Sequence, residues 1–247
     1  YASDTNGIEG MEFEVETNSV VMTFDNATGH WTASLDTTTL EDGLHLFNVK
    51  ATDKAGNEGS TSVAVTIDNT GPLASIDAPA SNSYLHGMTE IEVTGEDATF
   101  NRTELFLNGR LVASWNVSGT ATYYWNTTAF TDGVYIIVLK VFDNANNFAT
   151  DEISVVVDNT SPSVAIIKPS AGATLSGLTT IGFTASDTNL ESVQLLIDQS
   201  TFNVTGTTSY QWNTTEVVDG PHIIKLIAYD KAGNVGSTNI TVTVDNT

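Results

Sequence analysis

Apolar and polar residues alternate in short runs along this chain, and each run ends at a cluster of turn-forming residues. Asn239–Val244 places apolar side chains at 240, 242 and 244, the period-two signature of a half-buried strand. Ile223–Tyr229 is β-branched or aromatic for much of its length. Leu105–Leu111 reads as a hairpin, because Asn108-Gly109 suits a type I′ turn, in which both central residues need positive φ. In the middle third, seven candidate strands fall near residues 73–77, 89–95, 103–108, 110–115, 121–126, 133–142 and 150–157. No segment sustains a period of 3.6. Short strands with turn signals every 8–12 residues predict an all-β chain of antiparallel sandwiches.

The pattern repeats. Ile67-Asp68-Asn69-Thr70-Gly71-Pro72 returns as Val157-Asp158-Asn159-Thr160-Ser161-Pro162 and as Val244-Asp245-Asn246-Thr247, at spacings of 90 and 87 residues. Trp125-Asn126-Thr127-Thr128 followed by Asp132-Gly133-Val134-Tyr135 matches Trp212-Asn213-Thr214-Thr215 followed by Asp219-Gly220-Pro221-His222. The first unit carries Leu35-Asp36-Thr37-Thr38, then Asp42-Gly43-Leu44-His45. A third motif closes each unit: Asp53-Lys54-Ala55-Gly56-Asn57, Asp143-Asn144-Ala145-Asn146-Asn147 and Asp230-Lys231-Ala232-Gly233-Asn234. Three units follow: 1–70, 71–160 and 161–247. Seven strands in about ninety residues fits an immunoglobulin-like sandwich, and the Asp-Gly-x-Tyr/His motif falls where such sandwiches carry a tyrosine corner. With no cysteine in the chain, each core must hold by packing.

The Asp-Asn-Thr-x-Pro linker, Trp-Asn-Thr-Thr, Asp-Gly-x-His and Asp-x-Ala-Gly-Asn resemble the tandem bacterial and archaeal Ig-like repeats of cell-surface proteins. The resemblance implies three tandem immunoglobulin-like antiparallel β-sandwiches. It also implies a setting such as an S-layer glycoprotein, a surface filament or an adhesin stalk, outside the cell. Asn146 departs from the glycine at positions 56 and 233. The first unit is incomplete: Ala2–Asn6 aligns with Ala185–Asn189, so counterparts of residues 161–183, containing the first strand and most of the second, are missing. A sandwich without its N-terminal strand exposes a sheet edge. The expectation is that more chain precedes Tyr1 or that another subunit supplies the strand. The partners would be further repeats or copies of the same chain, end to end.

Composition narrows the partners. Lys and Arg number 8 against 30 Asp and Glu, giving a net charge of −22. So few cations cannot supply the basic patch that nucleic acid requires, and an anionic membrane surface is disfavoured for the same reason. No run of 18 apolar residues exists to insert in a bilayer. Polarity comes from 58 Ser and Thr and 21 Asn. Asn-x-Ser/Thr sequons occur at Asn26, Asn101, Asn116, Asn126, Asn159, Asn203, Asn213 and Asn239, against about five expected from composition. On an exported chain these are candidate glycosylation sites.

No nucleophile–base–carboxylate arrangement is visible. His45 and His222 occupy the corner position, and His30 and His86 lie in polar stretches. Acidic motifs carry the sharper chemistry. In an immunoglobulin-like sandwich the incoming linker lands beside the loop after strand two and the loop before the last strand. That gathers Asp68 and Asn69 with Asp97 and Asp143 at one junction, and Asp158 and Asn159 with Asp187, Asn189 and Asp230 at the next. Oxygen donors clustered without bases suit Ca²⁺ at the junctions; the alternative is that each Asp or Asn caps its own turn. Lys54 and Lys231 stand close enough in sequence to offset part of the charge. Trp31, Trp115, Tyr123 and Tyr124 are candidates for an exposed aromatic patch, or else for core positions. The sum is a semi-rigid rod, each unit ~35–45 Å long, with Pro72 and Pro162 restricting the bend. The competing reading is a binding or accessory module of an adhesin tip or a secreted polysaccharide enzyme.

Overall fold

The structure is a computed structural model and describes residues 2–5, 7–16 and 18–247. Tyr1 and Asn6, used above to align the first unit, lie outside the described residues.

The first repeat contains β1 (Ile8–Val15), β2 (Asn18–Val21), β3 (Thr23–Asp25), β4 (His30–Thr32), β5 (Gly43–Asp53) and β6 (Glu58–Ile67). The second contains β7 (Leu73–Ala78), β8 (Tyr84–Leu85), β9 (Met88–Glu96), β10 (Phe100–Leu107), β11 (Arg110–Trp115), β12 (Gly119–Asn126), β13 (Gly133–Asp143) and β14 (Phe148–Val157). The third contains β15 (Ser163–Lys168), β16 (Thr174–Leu175), β17 (Leu178–Ser186), β18 (Leu190–Ile197), β19 (Ser200–Asn203), β20 (Ser209–Asn213), β21 (Gly220–Asp230) and β22 (Val235–Val244). All seven strands read in the middle unit form. The two-residue strands β8 and β16, which pair in parallel with the ends of β14 and β22, are too short to leave a sequence pattern.

Repeats two and three share one topology: a five-stranded sheet over a three-stranded one. The orders are β11-β10-β13-β14-β8 over β12-β9-β7, and β19-β18-β21-β22-β16 over β15-β17-β20. Alternation sends one face of each strand inward. Ile137, Leu139 and Val141 on β13, and Ile224, Leu226 and Ala228 on β21, are fully buried. Trp125 and Trp212 close the cores. The β10–β11 turn has φ of 47° at Asn108 and 79° at Gly109, as a type I′ turn requires.

The corner motif works as expected. Tyr135 Oη donates to Thr131 O at 3.0 Å while its ring meets Trp125 edge-on at 5.3 Å. His222 Nε2 donates to Val218 O at 2.9 Å with its ring 5.7 Å from Trp212, and His45 Nε2 to Glu41 O at 2.7 Å.

The first repeat lacks, among the described residues, counterparts of both β15 and β17. Its four-stranded sheet, β2-β1-β5-β6, matches the five-stranded sheets. Opposite it, among the described residues, stand only the β3–β4 hairpin and the segment leading to Leu40. Among the described residues its buried core is Val15, Leu40 and Ile67, with Phe13, Leu35, Phe47 and Val65 packed against them, where the other two repeats bury eleven and twelve residues. The aromatic patch does not form. Trp115 and Tyr123 pack against the second core, Tyr124 projects from the opposite face of β12, and Trp31 pairs with Phe24 at 5.3 Å.

Candidate metal centre

Each repeat enters the next through a linker whose residues divide their work. Asn159 belongs to the repeat behind it. Its Oδ1 accepts from Gly87 N at 3.1 Å and Thr127 Oγ1 at 3.0 Å, and its Nδ2 donates to Thr127 O at 3.1 Å. Its backbone N–H and the Thr160 hydroxyl both bind Asp132, at 2.9 and 2.5 Å. These bonds hold the Asp132 carboxyl below its usual range, the Thr160 hydroxyl contributing most. In the first repeat Asn69 repeats the bonds to Thr37 and, through its backbone N–H, to Asp42, and its Nδ2 also donates to Leu40 O; no counterpart of the Gly87 bond is present among the described residues. The Trp-Asn-Thr-Thr motif is thereby explained: Trp is core, Asn caps a 3₁₀ turn, and the first Thr, fully buried at 127 and 214, bridges to the linker.

Asp68 and Asp158 belong to the repeat ahead. Asp68, Asp97 and Asp143 bring one carboxylate oxygen each within 4.8 Å of one another, and so do Asp158, Asp187 and Asp230. Asp143 and Asp230 are fully buried and Asp158 is 4% exposed. Each buried loop Asp is held by its motif: Asp230 Oδ1 accepts from Asn234 N at 2.9 Å and Oδ2 from Asn234 Nδ2 at 2.8 Å. The same amide donates to Asp158 O at 2.7 Å, and Asn147 repeats both contacts with Asp143 Oδ2 and Asp68 O. Asn147 and Asn234 thus tie the linker backbone to the following repeat. Sequence reasoning passed over them, although Asn stands at that place in all three closing motifs.

Two expected ligands fall elsewhere, and a third joins its cluster as a donor. The Asn69 and Asn159 side chains are turned into their own repeats, because a linker carboxylate and the amide next to it point to opposite sides of an extended chain. Asn189 reaches the second cluster as a donor, Nδ2 to Asp158 Oδ2 at 2.6 Å; Thr99 takes its place at the first, bonding Asp68 through its hydroxyl. The lysines do not offset the charge. Among the described residues none of the six aspartates is in an ion pair, and Lys231 Nζ lies 5.1 Å over the Tyr84 ring. Carboxylate oxygens within 4.8 Å of one another repel by about 3.5 kcal/mol per pair at an effective dielectric of ~20. Three carboxylates, buried or half-buried and gathered from a linker and two loops, form an all-oxygen donor set that fits a hard divalent ion.

Of the sequon asparagines, 26, 116, 126, 203 and 239 are exposed, and 101 and 213 are half-buried. Asn159 cannot serve as an acceptor without breaking its repeat, because its amide hydrogens are bonded to Thr127 O and Asp132.

An immunoglobulin-like sandwich in tandem, joined by acidic linkers, is the class these features define. The bacterial Ig domain family matches residues 72–138 and 162–226, and a bacterial Ig-like domain family matches residues 4–69. The chain belongs to the bacterial Ig domains. No curated protein matches it. Similar solved structures include fibronectin(III)-like modules of Clostridium thermocellum CbhA, at 20% identity and TM-score 0.45, covering 70% of this chain and 94% of that one. A Ca²⁺-stabilized ice-binding adhesin of an Antarctic bacterium is similar at 20% identity and TM-score 0.38, covering 98% and 66%. The tetra-tandem repeat in the extending region of a large adhesion protein gives 19% and 0.39, covering 98% and 68%.

Proposed function

We propose that this chain is a stalk segment of an exported cell-surface protein, arranged end to end with like repeats and stiffened by Ca²⁺ at its junctions. The observation that carries the reading is the split origin of each aspartate cluster. One carboxylate comes from the linker and two from loops of the following repeat, so an ion bound there would fix the angle between them. Without an ion, repulsion among the three carboxylates favours splaying. Extracellular modules bind Ca²⁺ with Kd ~10⁻⁴–10⁻³ M, so occupancy calls for millimolar calcium, as found outside cells. The base-poor, Thr- and Asn-rich surface and the exposed sequons fit export with N-linked glycan. No helix among the described residues is long and apolar enough to cross a membrane.

The test is a calcium titration of the whole chain by calorimetry, with small-angle scattering before and after EDTA. The expected result is two binding events and a maximum dimension that changes when calcium is removed. No heat and an unchanged dimension would leave the aspartates as turn caps. For the glycan, the mass of natively produced protein should exceed that of the polypeptide; equality with the bare chain refutes it.

A further inference from the structure

Repeats two and three meet at more than the aspartate cluster. The two-residue strand β8 pairs in parallel with the end of β14, and Leu85 O accepts from Asp158 N at 2.9 Å. Gly87 N donates to Asn159 Oδ1 at 3.1 Å. These bonds carry Tyr84 and His86 to the end of the second repeat, beside the linker. From the other side, Asn234 Nδ2 donates to Asp158 O at 2.7 Å and Lys231 N to Asn189 O at 3.0 Å. The closing loop of the third repeat is thus fixed against the same linker residue. Across the junction, Lys231 Nζ lies 5.1 Å over the Tyr84 ring, within the ~6 Å at which an aromatic face attracts a cation. A Cβ added to Gly233 would lie 3.4 Å from His86 Cε1, so the glycine backbone and the imidazole face each other closely.

Both sides of this contact differ in kind from their counterparts in the neighbouring repeat. β16 pairs with β22 in the register that β8 has with β14, and at the places of Tyr84 and His86 the third repeat carries Thr174 and Ser176. A threonine offers no ring face to a lysine. At the places of Lys231 and Gly233 the second repeat carries Asn144 and Asn146. Asn146 has φ of 71° and Gly233 of 90°, so the turn itself admits asparagine. What asparagine changes is the space toward His86, because its side chain continues from a Cβ that already fills the gap. The cores of the two repeats do not call for these residues either, since Lys231 and His86 are exposed.

We infer that Tyr84 and His86 form a docking face that selects which repeat follows the second one. Its partner is a closing loop with lysine and glycine at the places of Lys231 and Gly233. The Tyr84 ring takes the ammonium group, and the imidazole packs where the loop has no side chain. A loop of the Asn-Ala-Asn kind, as at residues 144–146, supplies neither the cation nor the space. The face works without an ion and opposes the repulsion among Asp158, Asp187 and Asp230 when calcium is absent. It therefore stands or falls apart from the calcium reading.

The chain has no cysteine, so Ser114→Cys with Ser200→Cys, both at exposed positions, gives a single spin-label pair across repeats two and three. Pulsed electron paramagnetic resonance on the whole chain in EDTA then reads the ratio of open to closed junctions. The face change, Tyr84→Thr with His86→Ser, copies the third repeat; the loop change, Lys231→Asn with Gly233→Asn, copies the second. Each should raise the open-to-closed ratio by at least the two- to fivefold that about one exposed cation–π contact supplies. Combining them should add nothing beyond either alone, because both remove the same contact. Tyr84→Phe keeps the ring and should stay close to the parent. Each change uses residues that the same turn already holds in a sister repeat, so the thermal transitions of repeats two and three should stay in place. Distance distributions that the face and loop changes leave unaltered overturn the proposal. So do effects that multiply in the combined variant, or a Tyr84→Phe variant that opens as far as the face change.

Discussion

Removing one charge from the second junction should stabilise the chain without calcium and deprive it of calcium's benefit. Asp187→Asn is the cleanest perturbation. Asp187 is half-buried, and its Oδ1 accepts from Asn189 N at 2.7 Å, a bond that the amide oxygen of Asn can keep. The loss of charge deletes two of the three repulsions among Asp158, Asp187 and Asp230, which lie within 4.8 Å. Each is worth about 1 kcal/mol at the dielectric of water and about 3.5 kcal/mol at ~20. Partial exposure favours the low end, so about 2 kcal/mol is the expected gain in EDTA. At 4–8 °C per kcal/mol for a unit of this size, that raises the third transition by roughly 8 °C or more. At ten times Kd, calcium should add about 1.4 kcal/mol to the parent chain and little to the variant, closing most of the gap. Differential scanning calorimetry in EDTA and in calcium measures all four values. If Asp187→Asn destabilises the chain in EDTA, or if calcium raises both proteins equally, the cluster is not a set of repelling ligands.

The remaining expectations concern the repeats themselves. Burial lowers the pKa of His222, but its bonds to Asp198 and the Val218 carbonyl outweigh this and leave it raised; Asp198, raised by burial, ends lowered through His222. The His contribution is full below about pH 6.5 and is lost as pH rises through the raised value. The Asp contribution is present above about pH 4 and is lost as pH falls. The third repeat should therefore be most stable between about pH 4 and 6.5 and decline above that as His222 loses its proton. The paired change His222→Tyr with Asp198→Asn, copying Tyr135 and Asn108, should flatten that profile in pH-dependent unfolding. Asn159→Ala should cost about 2–4 kcal/mol in denaturant melts of the second repeat, since it strips bonds from Gly87 N, Thr127 Oγ1 and Thr127 O. Trp212→Ala should cost about 3–5 kcal/mol by opening the third core, with calcium binding at the junction retained in a titration of whatever fraction stays folded.

What the sequence determined by itself was whatever acts over a few residues or recurs. Alternation specified the strands of the middle unit, Asn108-Gly109 specified its hairpin turn, and the recurring Asp-Gly-x-Tyr/His specified the corner, because each rests on local backbone geometry. Topology alone was enough to bring Asp68, Asp97 and Asp143 together, since every immunoglobulin-like sandwich places those three loops at one end. The tertiary structure decided where neighbouring side chains point. Asp158 and Asn159 are adjacent in one motif, yet the first faces the next repeat and the second staples the repeat behind. Spacing cannot separate two residues on opposite sides of one extended segment. Asn147 and Asn234 escaped notice because Asn in a turn motif has an ordinary local explanation, and only their 2.9 and 2.7 Å bonds to the linker carbonyls reveal the second one.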